Sequence, residues 1–350
     1  MQMKRNLTID IMKGIGILLV VFGHTFHLSQ AIYSFHMPLF FILSGASMAF
    51  SKHDFSLSRR FRTIMVPYFC FSLLSFLYWV LIESHFRPID DTSLFNGILG
   101  TLDLRLQQFI NIFIAENTVN SFAYNIVLWF LPCLFVADYL YSRIKITPPQ
   151  WKWTIIACLP AIYYVFIDDI QCLPLCLNIA VLAVPFLALG HQFYVRIETY
   201  ISCEYGIRKL VIMFMILFAI FIAAYKYFCP SINMLNNSVS PFYLFYGFAI
   251  IGSLLILCIS SLFAKTRSLC ELFCWIGRNS LVIMCIHEPL KRIVLFILSK
   301  ILFLPVEAMR GNLFFSVMAT VVIVLSCVPF VIFINRYCPV ILGRSKKTNL

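Results

Sequence analysis

Lys13–His24 reads KGIGILLVVFGH, a run of glycine, aliphatic residues and one phenylalanine with a lysine at one end and a histidine at the other. Such a run belongs in lipid or in a buried core, where each ionisable residue is expensive and needs a reason. At about 100° per residue, the eleven steps from Lys13 to His24 fall within about 20° of three full turns, so a helix sets both on one face. Asp10 lies about 40° from that face on the same reckoning. The axial rise from Lys13 to His24 is roughly 16 Å, about half a hydrocarbon core. As a spanning helix, the segment holds Lys13 near one surface and carries His24 past the midplane toward the other. Gly14, Gly16 and Gly23 suit close helix packing or the close approach of a ligand.

The rest of the chain agrees with a membrane setting. Of 350 residues, 61% are hydrophobic and only 12% charged, too few polar side chains to cover a soluble domain of this length. The expectation is an all-α polytopic bundle. Ten segments approach the roughly 20 apolar residues that a span needs. They are 7–27, 33–50, 64–83, 124–141, 153–170, 173–195, 210–228, 243–263, 279–297 and 313–335, and the ninth is the weakest because Arg278, His287, Glu288, Lys291 and Arg292 crowd it. The N-terminus imitates a secretory signal, but Asp10 and Lys13 interrupt it and no small-x-small cleavage site follows, so it reads as a retained first helix. A single domain is expected over 1–350, with a membrane core of 7–335 and a short tail, 336–350.

Charge orients the bundle. With both termini cytoplasmic, all but seven of the 27 Lys and Arg residues fall on inner segments; the seven are Arg87, Arg105, Lys226, Lys291, Arg292, Lys300 and Arg310. The net charge of +12 is then topology plus attraction to anionic lipid headgroups, and calls for no nucleic acid. An inner cell membrane is the expected location. The 13 cysteines show no CxxC pair and no metal-ligand spacing with histidine, so neither a disulfide framework nor a metal site is expected. One outer loop, 84–123, is long, mixes acidic residues with FINIFIA, and reads equally as a lid or as a helix capping the bundle.

The chemistry-bearing residues gather on the outer side. His24 ends the first span, His27 follows it, His36 opens the second in YSFHMPLFFILSG, and His287 lies in the ninth in NSLVIMCIHEP beside Glu288. A histidine within reach of a carboxylate suits general acid–base work near neutral pH. On the inner side SRRFRTIMVPY supplies Arg59, Arg60 and Arg62 ahead of the third span. They are either phosphate clamps or ordinary topology signals.

These stretches together resemble the integral-membrane acyltransferase 3 family, most closely its fucose 4-O-acetylase-like and polysaccharide O-acyltransferase branch. The resemblance is carried by DIMKGIGILLVVFGH, SFHMPLFFILSG and RRFRTIMVPY, then by LWFLPCLF, VPFLALGHQF and IGRNSLVIMCIHEP, in family order from residue 10 to about 290. It implies about ten helices, an acyl-CoA donor, commonly acetyl-CoA, on the cytoplasmic side, and transfer to a hydroxyl of a glycan or lipid-linked saccharide. It places Lys13 and His24 at the family's basic residue and its essential histidine, and Asp10 at the acidic residue three positions earlier. Arginine is the family's usual basic residue, so Lys13 keeps the charge but loses the bidentate fork. Arg59 and Arg62 match the paired arginines after the second helix. Asp10, Lys13, His24, His36, His287 and Glu288 are thus the catalytic candidates, and Lys13, Arg59 and Arg62 the candidates for holding acyl-CoA, with no permanently bound cofactor. His24 could deprotonate the acceptor or carry the acyl group. The pattern of buried ionisable groups also suits a transporter or flippase of a glycan intermediate or small acid, although no internal repeat supports one.

Overall fold

The computed structural model describes residues 6–51, 55–86, 103–116, 122–166, 173–204, 206–236, 238–239 and 241–344. Its helices are α1 (Leu7–Thr25), α2 (His36–Ala49), α3 (Leu57–Glu83), α4 (Leu104–Ile114), α5 (Phe130–Ile144), α6 (Pro149–Phe166) and α7 (Leu177–Glu204). They continue as α8 (Ile207–Phe228), α9 (Phe242–Phe263), α10 (Arg267–Arg278), α11 (Ser280–Leu302), α12 (Val306–Gly311) and α13 (Leu313–Tyr337). No strand occurs among the described residues, only one isolated bridge between Asn233 and Ser238 in the α8–α9 connection. The chain is an all-α polytopic bundle.

Each of the ten expected segments is helical. Eight of them are long and apolar enough to cross a membrane on composition alone. The other two are α6, 18 residues long, and α11, whose charges dilute its apolar character. The expected fifth span runs to 170, but α6 ends at Phe166 and 167–170 lie outside the described residues. The third span starts seven residues earlier than expected, at Leu57, and contains π-helical turns at Phe61–Met65 and Trp79–Glu83. Pro67 follows the first of these turns; it lacks an N–H and its ring crowds the carbonyl one turn back, which favours a widened turn there.

Helix α1 is the hub. Asn6 caps it by accepting from the Ile9 backbone N–H at 3.0 Å, and the helix packs against α2, α9, α10, α11 and α13. Glycine makes two crossings tight enough to fix its position. A Cβ at Gly14 would strike the Phe273 carbonyl of α10, and one at Gly277 would strike the Asp10 carbonyl of α1. Gly45 of α2 and Gly190 of α7 do the same for each other's helices, meeting Leu187 and Ile42 carbonyls. Backbones in such contact gain dispersion and local dipole attraction that lipid cannot offer.

Only parts of the 84–123 loop are described. Its helix α4 turns Gln107, Gln108, Asn111 and Ile112 inward, and Phe109 and Phe113 pack on Phe76 and Phe69 of α3. Gln108 accepts from the Ala123 N–H at 3.0 Å, and Asn111 from the Glu116 N–H at 2.9 Å. The aromatic contacts with α3 seat α4 on the bundle, and the two hydrogen bonds hold the loop to itself. Residues 87–102 and 117–121 lie outside the described residues.

Candidate functional site

The two ends of α1 carry different chemistry. At its first turn, Asp10 is buried and accepts from Arg278 Nε of α10 at 3.2 Å. This ion pair sits on the Gly14–Gly277 crossing and ties the two helices together. Lys13 lies one turn on, half-buried. Nearby helix ends carry the arginine run: Arg60 pairs with the buried Asp138 of α5 at 3.1 Å, and Ser44 donates to the other Asp138 oxygen at 3.1 Å. Arg59 and Arg62 are exposed and make no ion pair among the described residues. The structure therefore gives Arg60 a structural partner and leaves its two neighbours available.

At the far end of α1 the expected histidines converge. The His24 and His287 rings lie 5.5 Å apart. Tyr33 stands between His24, at 6.2 Å, and His36, at 5.1 Å, edge-on to both. His24, Tyr33 and His36 line a cavity of about 180 Å³ together with Val20, Met37, Phe40, Trp129 and Met284, among others. The α8–α9 connection roofs it with Asn233, Met234, Leu235 and Asn236.

Hydrogen bonds set which nitrogens are free. His36 Nδ1 donates to the Ile32 carbonyl at 2.8 Å, and His287 Nδ1 to the Ile283 and Met284 carbonyls at 3.1 and 2.9 Å. In both neutral rings Nε2 then keeps its lone pair. His287 Nε2 is buried and has no hydrogen-bond partner among the described residues. His24 makes no side-chain hydrogen bond among them either. The pairing of His287 with Glu288 that their adjacency suggests does not form. Neighbours on a helix point about 100° apart, so His287 turns to its own backbone while Glu288 turns to cations.

Those cations explain why α11 tolerates its charges. Glu288 Oε1 accepts from Lys291 Nζ at 2.8 Å and lies 3.5 Å from Arg292 Nε. Arg292 also reaches Glu83 of α3 at 2.7 Å and donates to the Ala123 carbonyl at 3.1 Å. Two carboxylates and two cations cancel, which is what a low-dielectric setting demands. The second Glu288 oxygen is buried without a hydrogen-bond partner. Ligand-type atoms of His24, His287 and Glu288 lie within 4.8 Å of one another, so the trio could also hold a metal ion.

The peptide that carries His24 is itself held. Arg310 of α12 reaches the His24 carbonyl at 3.5 Å, and its own carbonyl accepts from the His27 N–H at 3.0 Å. The His27 ring pairs with Glu307, and Thr25 bonds Thr320 of α13 at 2.8 Å. Ser29 and Tyr33 both donate to the Gly23 carbonyl, at 2.9 and 3.0 Å. These donors satisfy the orphan carbonyls of α1, and Arg310 adds a positive charge at the negative end of its dipole.

A bundle centred on a helix with a basic residue, ten intervening positions and a cavity-facing histidine now meets its comparison. A family model described as an acyltransferase domain, of the acyltransferase 3 type, matches residues 6–334. The chain belongs to the acyltransferase 3 family. Comparisons with curated proteins and with solved structures found no match.

Several residues in and around the cavity are not picked out by sequence pattern. Tyr33 opens the expected second span and Trp129 lies in the LWFLPCLF stretch, neither of them a candidate in its own right. Arg310 counts only as an outside charge, and Lys291 and Arg292 also as charges that weaken the ninth span. A signal was present for the last two, since cations within a span demand carboxylate partners. Nothing in those stretches shows that Tyr33 and Trp129 face the cavity.

Proposed function

We propose that this acyltransferase takes an acyl group, acetyl in the first instance, from acyl-CoA and places it on a hydroxyl of a glycan, a lipid-linked saccharide or another cell-envelope acceptor. One observation carries the reading: His24 faces a cavity with an unbonded imidazole, beside the unpartnered Nε2 of His287. Such a nitrogen is placed to accept the hydroxyl proton. The acceptor oxygen then attacks the thioester carbonyl carbon, the C–S bond breaks, and the departing thiolate recovers the proton from the imidazole. A relay through an acyl-imidazole on His24 uses the same atoms in two steps. The ionised Glu288 stabilises the imidazolium formed in either route. A doubly charged metal ion at the trio would add to the charge already supplied by Lys291 and Arg292, so proton chemistry suits the site better.

The donor belongs at the opposite end of α1. Lys13, Arg59 and Arg62 supply cations for the nucleotide phosphates, and the roughly 16 Å rise along α1 is of the order of a pantetheine arm. This arrangement goes with cytoplasmic termini in an inner cell membrane, and with 1–350 acting as one unit around the 7–335 core. Membership in an acyltransferase family removes the ground for a transporter. The test is release of free thiol from acetyl-CoA by membranes containing the protein. Wild type releases thiol and the His24→Ala protein does not; equal release by both would refute the assignment.

A further inference from the structure

At the Asp10 end of the bundle the fold sets arginines together against their mutual repulsion. After α13 the chain makes a tight 3-10 turn, Pro339–Leu342, whose Leu342 is buried. Gly343 follows with a φ of 66°, the left-handed conformation that favours glycine. A Cβ there would strike the Arg62 carbonyl and lie 3.1 Å from Arg62 Cγ. The turn is therefore pressed onto the start of α3, and Arg344 is the next residue after the contact.

Arg344 is held twice. Its backbone N–H donates to the Pro339 carbonyl at 3.1 Å, and its Nη1 to Asn335 Oδ1 of α13 at 2.8 Å. Asn335 donates in turn to Asn279 Oδ1 at 3.0 Å, and Asn279 follows Arg278, the partner of Asp10. A chain of contacts thus runs from the first turn of α1, through the joint of α10 and α11, to Arg344 beside Arg62.

Counter-ions at this end are already taken. Among the described side chains, Asp10 pairs with Arg278, Asp138 with Arg60 and Glu271 with Arg267, while Glu198 accepts from Thr8. Arg62 and Arg344 are exposed and make no ion pair among the described residues. Two arginines fixed side by side, with no carboxylate to share, suit a doubly charged anion.

We propose that Arg344 and Arg62 hold the 3′-phosphate of the coenzyme A donor. The inference rests on the acyl-CoA reading above. With the thioester at His24 and the pantetheine arm along α1, the diphosphate comes near Lys13. The ribose 3′-phosphate, farther along the donor, then comes to the helix ends. Arg344 lies there, past the last turn of α13, whereas Lys13 lies within α1. A phosphomonoester carries about −1.5 to −2 charge at pH 7, which a guanidinium pair matches.

Neutral-lipid vesicles containing the full-length protein are given acetyl-CoA or acetyl-3′-dephospho-CoA, which lacks only that phosphate, and thiol release is followed. Wild type should show a KM at least about tenfold higher for the dephospho donor, the size of one lost charge-assisted contact. In Arg344→Ala the KM for acetyl-CoA should rise until the two donors are nearly equal. Arg344→Gln, which keeps a donor for Asn335, serves the same test if the alanine variant folds poorly. An unchanged ratio between the donors in the folded variants overturns the proposal. So does an equal rise in KM for both, which would set the diphosphate against Arg344. The assay is repeated with phosphatidylglycerol in the vesicles. An effect of Arg344→Ala confined to these would assign the arginine to a lipid headgroup and also overturn the proposal. No thiol release by wild type from either donor would remove the acyl-CoA reading itself, whereas release without discrimination between them removes the phosphate site alone.

Discussion

The two ends of α1 hold ionisable residues in opposite states. Asp10 is buried but bonded to Arg278, on a crossing so tight that two glycines are required. His24 is half-buried, faces a cavity, and has neighbours that stay unsatisfied: a His287 nitrogen and a Glu288 oxygen without hydrogen-bond partners. Burial alone would rank Asp10 as the more suspicious residue. The satisfied charge fastens helices; on the proposed reading, the unsatisfied groups at the other end do the chemistry.

The largest expected effect falls on the His24 end. His24→Ala should reduce acyl transfer by about 10²–10⁴-fold or more, since a positioned base contributes that much and a covalent relay adds to it. The protein should still accumulate in membranes, because alanine makes the span more apolar. Next comes the helix crossing. Gly277→Leu cannot be placed against the Asp10 carbonyl, and overpacking of this kind costs about 1–3 kcal/mol or more. Its signature is a lower thermal midpoint and less protein in the membrane, not a selective loss of turnover.

A smaller effect is expected at the arginine run. Replacing both Arg59 and Arg62 by alanine removes two charge-assisted contacts to the donor, each worth about 1.5–3 kcal/mol if made. KM for acyl-CoA should rise by at least about tenfold per contact, with folding unaffected because both side chains are exposed. Unchanged KM would return them to orienting the chain in the membrane. The least effect belongs to Lys13→Arg. It keeps the charge and adds a bidentate fork, so activity should hold or rise slightly; a large loss would show that Lys13 fills a space too narrow for guanidinium.

Much of this contrast was legible beforehand, for a physical reason. Helical periodicity put Asp10, Lys13 and His24 on one face, and the order of spans put His24, His36 and His287 toward one end. Side-chain partners were a different matter. Arg278 sits 268 residues from Asp10, and Glu83 sits 209 residues from Arg292. No local pattern encodes such pairs. The His287–Glu288 adjacency gives no direct hydrogen bond, because adjacent residues on a helix diverge and each takes a different partner. The ninth segment read as the weakest span for a related reason: its cations are neutralised by carboxylates on α3 and on α11 itself.

One measurement tests the division of α1 most directly: thiol release from acetyl-CoA by equal folded amounts of His24→Gln and Asp10→Asn, with the thermal midpoint of each. Glutamine keeps hydrogen bonding but cannot accept a proton near neutral pH, and asparagine keeps the shape of aspartate without its charge. His24→Gln should unfold at the wild-type temperature and release no thiol above background. Asp10→Asn should unfold earlier and, per folded molecule, turn over near the wild-type rate. Near-normal turnover by His24→Gln, together with loss of turnover in a fully stable Asp10→Asn protein, would contradict that division.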